Sequence, residues 1–233
     1  MDRIPGVARL LAVLDAPRDG YLEWHDGPDY SPVEAAVRGL GAQERPPAAD
    51  LMVGRLAKGY DWYTGHAAAL LAREPALRPR LVAALESLLD HASDFDASHA
   101  AVDLCAIEPS ARAEGALRDA ARRDSASRMD ALVCLKTALD LVGRTVPRRS
   151  FVRPETVEVL LDAVRADDYL VRYHAAEALW MLADRRDELT SHEVFLLICG
   201  PCTDGGIRRP TTEEDRARFA QAAERLREMV GEG

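Results

Sequence analysis

The sequence predicts an all-α fold, and within that class an α-α solenoid of stacked helical hairpins. Helical periodicity runs through nearly the whole chain, several segments open on helix-capping residues, and one short alanine-rich motif recurs along the sequence. Ala and Leu are abundant and aromatics are only 6% of the 233 residues, a composition that favours helix. No segment sustains the period-two alternation of a strand.

The elements follow in order from that periodicity. Ile4, Val7, Leu10, Leu11 and Leu14 fall on one helix face, as do Ala113, Ala116, Leu117, Ala120 and Ala121. Val157, Leu160, Leu161 and Val164 make a third stripe, and Phe219, Ala222, Ala223, Leu226 and Val230 a last one. Ser31 with Glu34, Thr190 with Glu193 and Thr211 with Glu214 have the three-residue offset of a capping box, in which hydroxyl and carboxylate satisfy free backbone donors. Pro32 and Pro154 sit where a first turn tolerates proline. First helices of hairpins are expected near 61–73, 95–107, 126–140 and 169–183, with second helices near 78–90, 110–123, 154–166 and 190–198. Helices near 4–14, 32–40, 48–57 and 212–230 would complete the chain.

The recurring motif is His66-Ala-Ala-Ala-Leu-Leu-Ala, seen again at His99-Ala-Ala-Val-Asp-Leu-Cys-Ala and His174-Ala-Ala-Glu-Ala-Leu-Trp, with a weaker copy at Asp130-Ala-Leu-Val-Cys-Leu. His66 to His99 is 33 residues, His99 to Asp130 is 31 and Asp130 to His174 is 44. Periods of roughly 20 to 50 residues mark stacked supersecondary units. The clearest copy, Asp167-Asp-Tyr-Leu-Val-Arg-Tyr-His174-Ala-Ala-Glu-Ala-Leu179, resembles the first helix of HEAT-like repeats of the kind named after phycobilin lyases. That resemblance spans about residues 61 to 184 and implies hairpins stacked into a curved, right-handed superhelix. It implies no lyase activity, because the repeat is shared by proteins of many functions. The resulting organisation is one solenoid domain over 1–233: an atypical cap with an aromatic loop over 1–60, four HEAT-like repeats over 61–200, and a loop with a capping helix over 201–233.

Thirty Lys and Arg against 39 Asp and Glu leave a net charge of −9, a field that repels phosphate backbones and anionic membranes. Nucleic acid and membrane are therefore disfavoured partners. Cys105, Cys134, Cys199 and Cys202 are too few for a disulfide scaffold at this length. The first fifteen residues have no signal-peptide pattern and no apolar run approaches about 18 residues, so a cytoplasmic protein is expected.

Two segments interrupt the repeat and are candidate binding regions. The long spacing maps to Gly143–Arg153, where Arg144, Arg148, Arg149 and Arg153 crowd one stretch of an acidic chain. Guanidinium groups chelate carboxylates or phosphates, so this is either an anion or acidic-partner site or a connector whose arginines bridge acidic neighbours. The second is aromatic: Tyr21, Trp24 and Tyr30 lie over 17–31, and Tyr60, Trp62 and Tyr63 follow. Trp and Tyr are enriched at interface hot spots, and the alternative is a satellite core at the end of the stack. Glu23, His25 and Asp26 in that loop have side chains capable of acid–base chemistry.

Cys199-Gly-Pro-Cys202 is identical to the active-site tetrapeptide of thioredoxins, but no βαβ pattern surrounds it and Gly200-Pro201 reads as a helix stop. No second Cys-x-x-Cys accompanies it to make a zinc site. His66, His99 and His174 occupy equivalent repeat positions and so are displaced along the stack, about 10 Å apart, rather than converging on a metal. No nucleophile elbow, phosphate loop, metalloprotease helix or dinucleotide fingerprint is present. The reading that follows is a non-catalytic protein-interaction module, a scaffold, adaptor or immunity-type inhibitor, with no cofactor and no metal. The alternatives are a HEAT-like DNA glycosylase, whose class this chain resembles, or a small-molecule or tailoring enzyme built on the Tyr21–Tyr63 aromatics.

Overall fold

The computed structural model describes residues 4–17, 28–91, 93–123, 127–183 and 212–231. Among them are twelve helices and no strand. The chain divides into two compact units, residues 1–109 and 110–233.

The first unit holds α1 (Pro5–Leu14), α2 (Ser31–Arg38), α3 (Arg45–Leu56), α4 (Trp62–Leu71), α5 (Arg78–His91) and α6 (Asp94–Ile107). Consecutive helices pair as α1 with α2, α3 with α4 and α5 with α6. Helix α4 also packs between α2 and α6, while α3 packs on α1 and α5. The unit is therefore two layers, α2–α4–α6 and α1–α3–α5. The second unit holds α7 (Ala111–Arg122), α8 (Arg128–Val142), a short α9 (Arg148–Phe151), α10 (Pro154–Ala163), α11 (Tyr169–Leu182) and α12 (Glu213–Gly231). It repeats the order: α7 pairs with α8 and α10 with α11, α8 packs on α11, and α10 lies between α7 and α12.

The alanine motif now has a physical reason. Ala67, Ala68, Ala100, Ala101, Ala175 and Ala176 are all fully buried. Paired alanines leave room for the backbones of neighbouring helices to approach, and the larger side chains fill the space between layers. Leu10, Met52, Leu56, Leu81 and Leu85 do so in the first unit, and Leu117, Leu132, Leu135, Leu139, Leu160, Leu161 and Leu179 in the second. Each such leucine contributes about 1.5–3 kcal/mol by leaving water.

Helix starts are fixed by caps. Asp61 accepts from the Tyr63 and Thr64 amides, Ser93 from Asp96, Ser110 from Ala113, and Asp168 from Val171. Each is worth about 1 kcal/mol against alanine. The expected box at Ser31 does not form: Asp29 takes both the amide and the hydroxyl of Ser31, and Glu34 turns to Arg38 and His66 instead. The C-terminal box exists one residue later than expected. Thr212 donates its amide to Asp215 Oδ2 at 3.0 Å, and its hydroxyl accepts from the Asp215 amide at 3.2 Å. Thr190, Glu193, Thr211 and the helix expected over 190–198 lie outside the described residues.

Helix ends use a recurring arginine. Arg45 Nε donates to the Leu40 carbonyl, Arg78 Nε to Ala72, Arg148 Nε to Leu139, and Arg172 to Ala166 and Asp167. Arg45, Arg78 and Arg172 thus bond carbonyls at or just past the end of the preceding helix, and Arg148 shares the Leu139 carbonyl with the Gly143 amide, placing positive charge where the helix dipole is negative. Arg172, the Arg of the Val-Arg motif, is buried and lies 3.9 Å over the Phe219 ring.

Candidate functional site

The most chemically distinctive part of the first unit lies where α4 and α6 begin side by side. Asp61 caps α4 and places Trp62 at its first position, while Ser93 caps α6 and places Phe95 at its second. The Trp62 ring stacks on His99 at 5.4 Å between centroids and lies 6.1 Å from Phe95. Phe95 and His99 are 4.3 Å apart, and His99 Nδ1 is 2.9 Å from the Phe95 carbonyl oxygen, which fixes the imidazole. Trp62, Phe95 and His99 are all half-buried, so each ring keeps part of its surface in solvent.

Behind this ridge sits a buried acid. Asp103, on α6, accepts a hydrogen bond from the Tyr60 hydroxyl at 2.8 Å. Burial pushes its carboxyl up to about 7, and the Tyr60 hydrogen bond opposes that rise. The approach is possible because residue 65 is glycine. A Cβ there would fall inside the radius of Asp103 Oδ2 and 2.7 Å from the Tyr60 ring. Glycine in a helix interior costs about 1 kcal/mol, and here it is what lets Asp103 and Tyr60 approach the backbone of α4.

A second rung has the same form one helix back. Tyr30, the residue before α2, stacks on His66 of α4 at 4.2 Å and meets Tyr63 edge-on at 5.6 Å. His66 Nε2 is 3.4 Å from Glu34. Burial lowers the His66 pKa, Glu34 raises it, and Arg73 adds to the lowering. His66 and His99 thus each stack on an aromatic from the start of the neighbouring helix. In the second unit His174 is 3.7 Å from Glu177, which also takes Lys136 Nζ at 2.8 Å and the Tyr173 hydroxyl at 2.9 Å. Burial and then Lys136 lower the His174 pKa.

Of the candidate aromatics, Tyr60, Trp62 and Tyr63 come together as above: Tyr60 holds Asp103, Trp62 forms the ridge, and Tyr63 is buried. Tyr21 and Trp24 lie outside the described residues, as do Cys199 and Cys202. The arginine segment is anchored to its own unit. Arg144 pairs with Asp140 at 2.6 Å and is the most exposed of the four, with 68% of its side chain in solvent. Arg148 reaches Asp140 at 3.7 Å besides its bond to Leu139. Arg149 donates to the carbonyls of Leu182 and Met229. Arg153 lies 3.9 Å from the buried Glu114, which also accepts from the Arg153 amide, the Thr156 hydroxyl and, at 3.6 Å, pairs with Arg118.

Sequence reasoning missed Asp103, Gly65, Phe95 and Glu114. Asp103 carried a usable signal, because it sits in the buried stripe of Ala97, Ala100, Ala101 and Leu104, where a charged residue needs a reason. Among the described residues no three His, Cys, Asp or Glu side chains are grouped to hold a metal, and no helix is long and apolar enough to cross a membrane. Compared with known proteins, the chain matches no family model, no curated protein and no solved structure.

Proposed function

We propose that the protein is a non-catalytic interaction module of the HEAT-like kind, a scaffold, adaptor or immunity-type inhibitor, that seats a protein partner on the Trp62–Phe95–His99 ridge. The observation that carries this reading is the ridge itself. It presents three mutually packed, partly exposed rings, held by two capped helix starts and backed by Tyr60 and Asp103. Rings fixed before binding lose little freedom on contact, and tryptophan is enriched among the residues that dominate interface energetics. The layered pairing of helices within each unit supports the stacked-hairpin part of the proposal. Arg144, the most exposed arginine of the 143–153 segment, is the competing candidate contact, on the second unit.

Affinity capture of the tagged protein from its native host, read by mass spectrometry, tests the reading with Trp62→Ala and Arg144→Glu in parallel. A stoichiometric protein partner lost with Trp62→Ala supports it and locates the surface. Loss with Arg144→Glu alone keeps the module and moves the surface to the second unit. A small molecule turned over by the purified protein, with no protein captured, contradicts it.

A further inference from the structure

We propose that the first unit also contains a binding site for a small organic oxyanion, a carboxylate or phosphate carried on an apolar body, in the cavity between α2, α3 and α4. This site is separate from the aromatic ridge and does not depend on the interaction-module reading. The cavity has a volume of about 490 Å³, within the range of roughly 300–1,000 Å³ that suits a small ligand. Its floor is apolar, made by Val37, Leu70 and Leu71, and its rim is charged.

The rim charges carry the choice of ligand. Arg38 comes from the end of α2, Arg45 from the start of α3 and Arg73 from just past the end of α4, so three separate segments bring an arginine to the lining of one cavity. Two carboxylates accompany them, Glu34 and Glu74. Arg38 meets Glu34 only at 3.6 Å and Arg45 meets Glu74 only at 3.5 Å. Charge-assisted N–H···O bonds settle near 2.7–2.9 Å, so both ion pairs are loose; each Nε stays on a backbone carbonyl, of Glu34 for Arg38 and of Leu40 for Arg45, and the terminal nitrogens can pass to an incoming anion at little cost. Arg73 takes part in no ion pair among the described residues, and its charge is felt by neighbouring His66. In a chain of net charge −9, an excess of positive charge around a concave site is a local departure that favours an anion. The planar guanidinium fork fits carboxylate and phosphate oxygens alike, and the leucine floor fits the carbon skeleton behind them.

Glu74 competes with the ligand for Arg45, which gives the site two opposed variants. Binding is measured by titration calorimetry on the full chain with phenyl phosphate and phenylacetate as the anionic probes and 2-phenylethanol as the neutral one. The expected result is saturable binding of at least one anion, weakened by added salt, with the neutral probe failing to bind. Arg73→Gln is expected to weaken it about tenfold, the scale of one hydrogen bond to a charged group, and Glu74→Gln to tighten it by a few-fold. Arg225→Gln in the second unit is the control and leaves it unchanged. Phenyl phosphate without phenylacetate, or the reverse, identifies the headgroup. No binding by about 10 mM, equal binding of the neutral probe, or an affinity indifferent to Arg73→Gln and Glu74→Gln overturns the site. Because Arg73 is exposed and unpaired among the described residues, the variant folds, and its unchanged melting temperature shows that any loss is local.

Discussion

Asp103 in the first unit and Glu114 in the second are both buried carboxyl groups, yet they keep opposite company. Asp103 receives one hydrogen bond from a neutral tyrosine, and burial leaves its carboxyl near 7. Glu114 is fully buried but takes the Thr156 hydroxyl and the Arg153 amide, and stands near two guanidinium groups, Arg118 and Arg153. A buried acid with guanidinium partners acts as an anchor: it ties α7 to the start of α10 and closes the arginine segment. A buried acid without them is poised between two states, and here it lies directly behind a half-exposed aromatic ridge. The position of a buried charge therefore says less than its partners do.

Breaking the anchor is expected to have the largest effect. Glu114→Ala leaves the Thr156 hydroxyl and the Arg153 amide without their acceptor and opens a cavity, while Arg118 keeps Asp119, and should cost about 3–5 kcal/mol in denaturant unfolding. Glu114→Gln, which keeps the hydrogen bonds, should cost less. Next comes the close approach that seats Asp103. Gly65→Ala drives a methyl group into Asp103 and Tyr60, and a loss of about 2 kcal/mol is expected despite the better helix propensity of alanine.

Asp103→Asn sharpens the contrast through pH. The Asp103 carboxyl is raised from 3.8 to about 7 in the fold, so the unfolded chain gives up this proton first. Between those values the folded state holds more protons, and the stabilisation present at low pH is lost as pH rises. Asparagine removes that loss. Relative to wild type, the variant should gain stability progressively between about pH 4 and about pH 7, by about 3 kcal/mol in all, measured by thermal or chemical unfolding at each pH. If the difference stays flat with pH, Asp103 is not the poised group. The smallest effect is a control on the glycine argument. Gly54 lies in α3 with nothing within 4 Å of the place an alanine methyl would take, so Gly54→Ala should stabilise by about 0.5–1 kcal/mol.

The helices were legible because apolar spacing reports local geometry. The expected first helix near 169–183 is Tyr169–Leu182, and that near 95–107 is Asp94–Ile107. Helix α3 begins earlier than the expected 48–57, at Arg45, because Pro46 and Pro47 serve its first turn. The arginine segment was visible as a break in the repeat, but the destinations of its side chains were not. Arg148 and Arg149 bond the carbonyls of Leu139, Leu182 and Met229, groups that every residue carries and only packing brings near. The same holds for the site. Tyr60 stood out as an aromatic, but its partner Asp103 lies 43 residues on and is joined through a glycine that marks no motif. The Ser31 capping pattern failed for a local reason, a competing Asp29 two residues upstream.

The central claim, that the ridge around Trp62 is the working surface, is tested most directly by titrating the captured protein partner against wild type and Trp62→Ala in a calorimeter. The account predicts a loss of at least about tenfold in affinity, the scale of a hot-spot tryptophan, with the melting temperature of the variant showing that it remains folded. Equal affinity for the two proteins would contradict it.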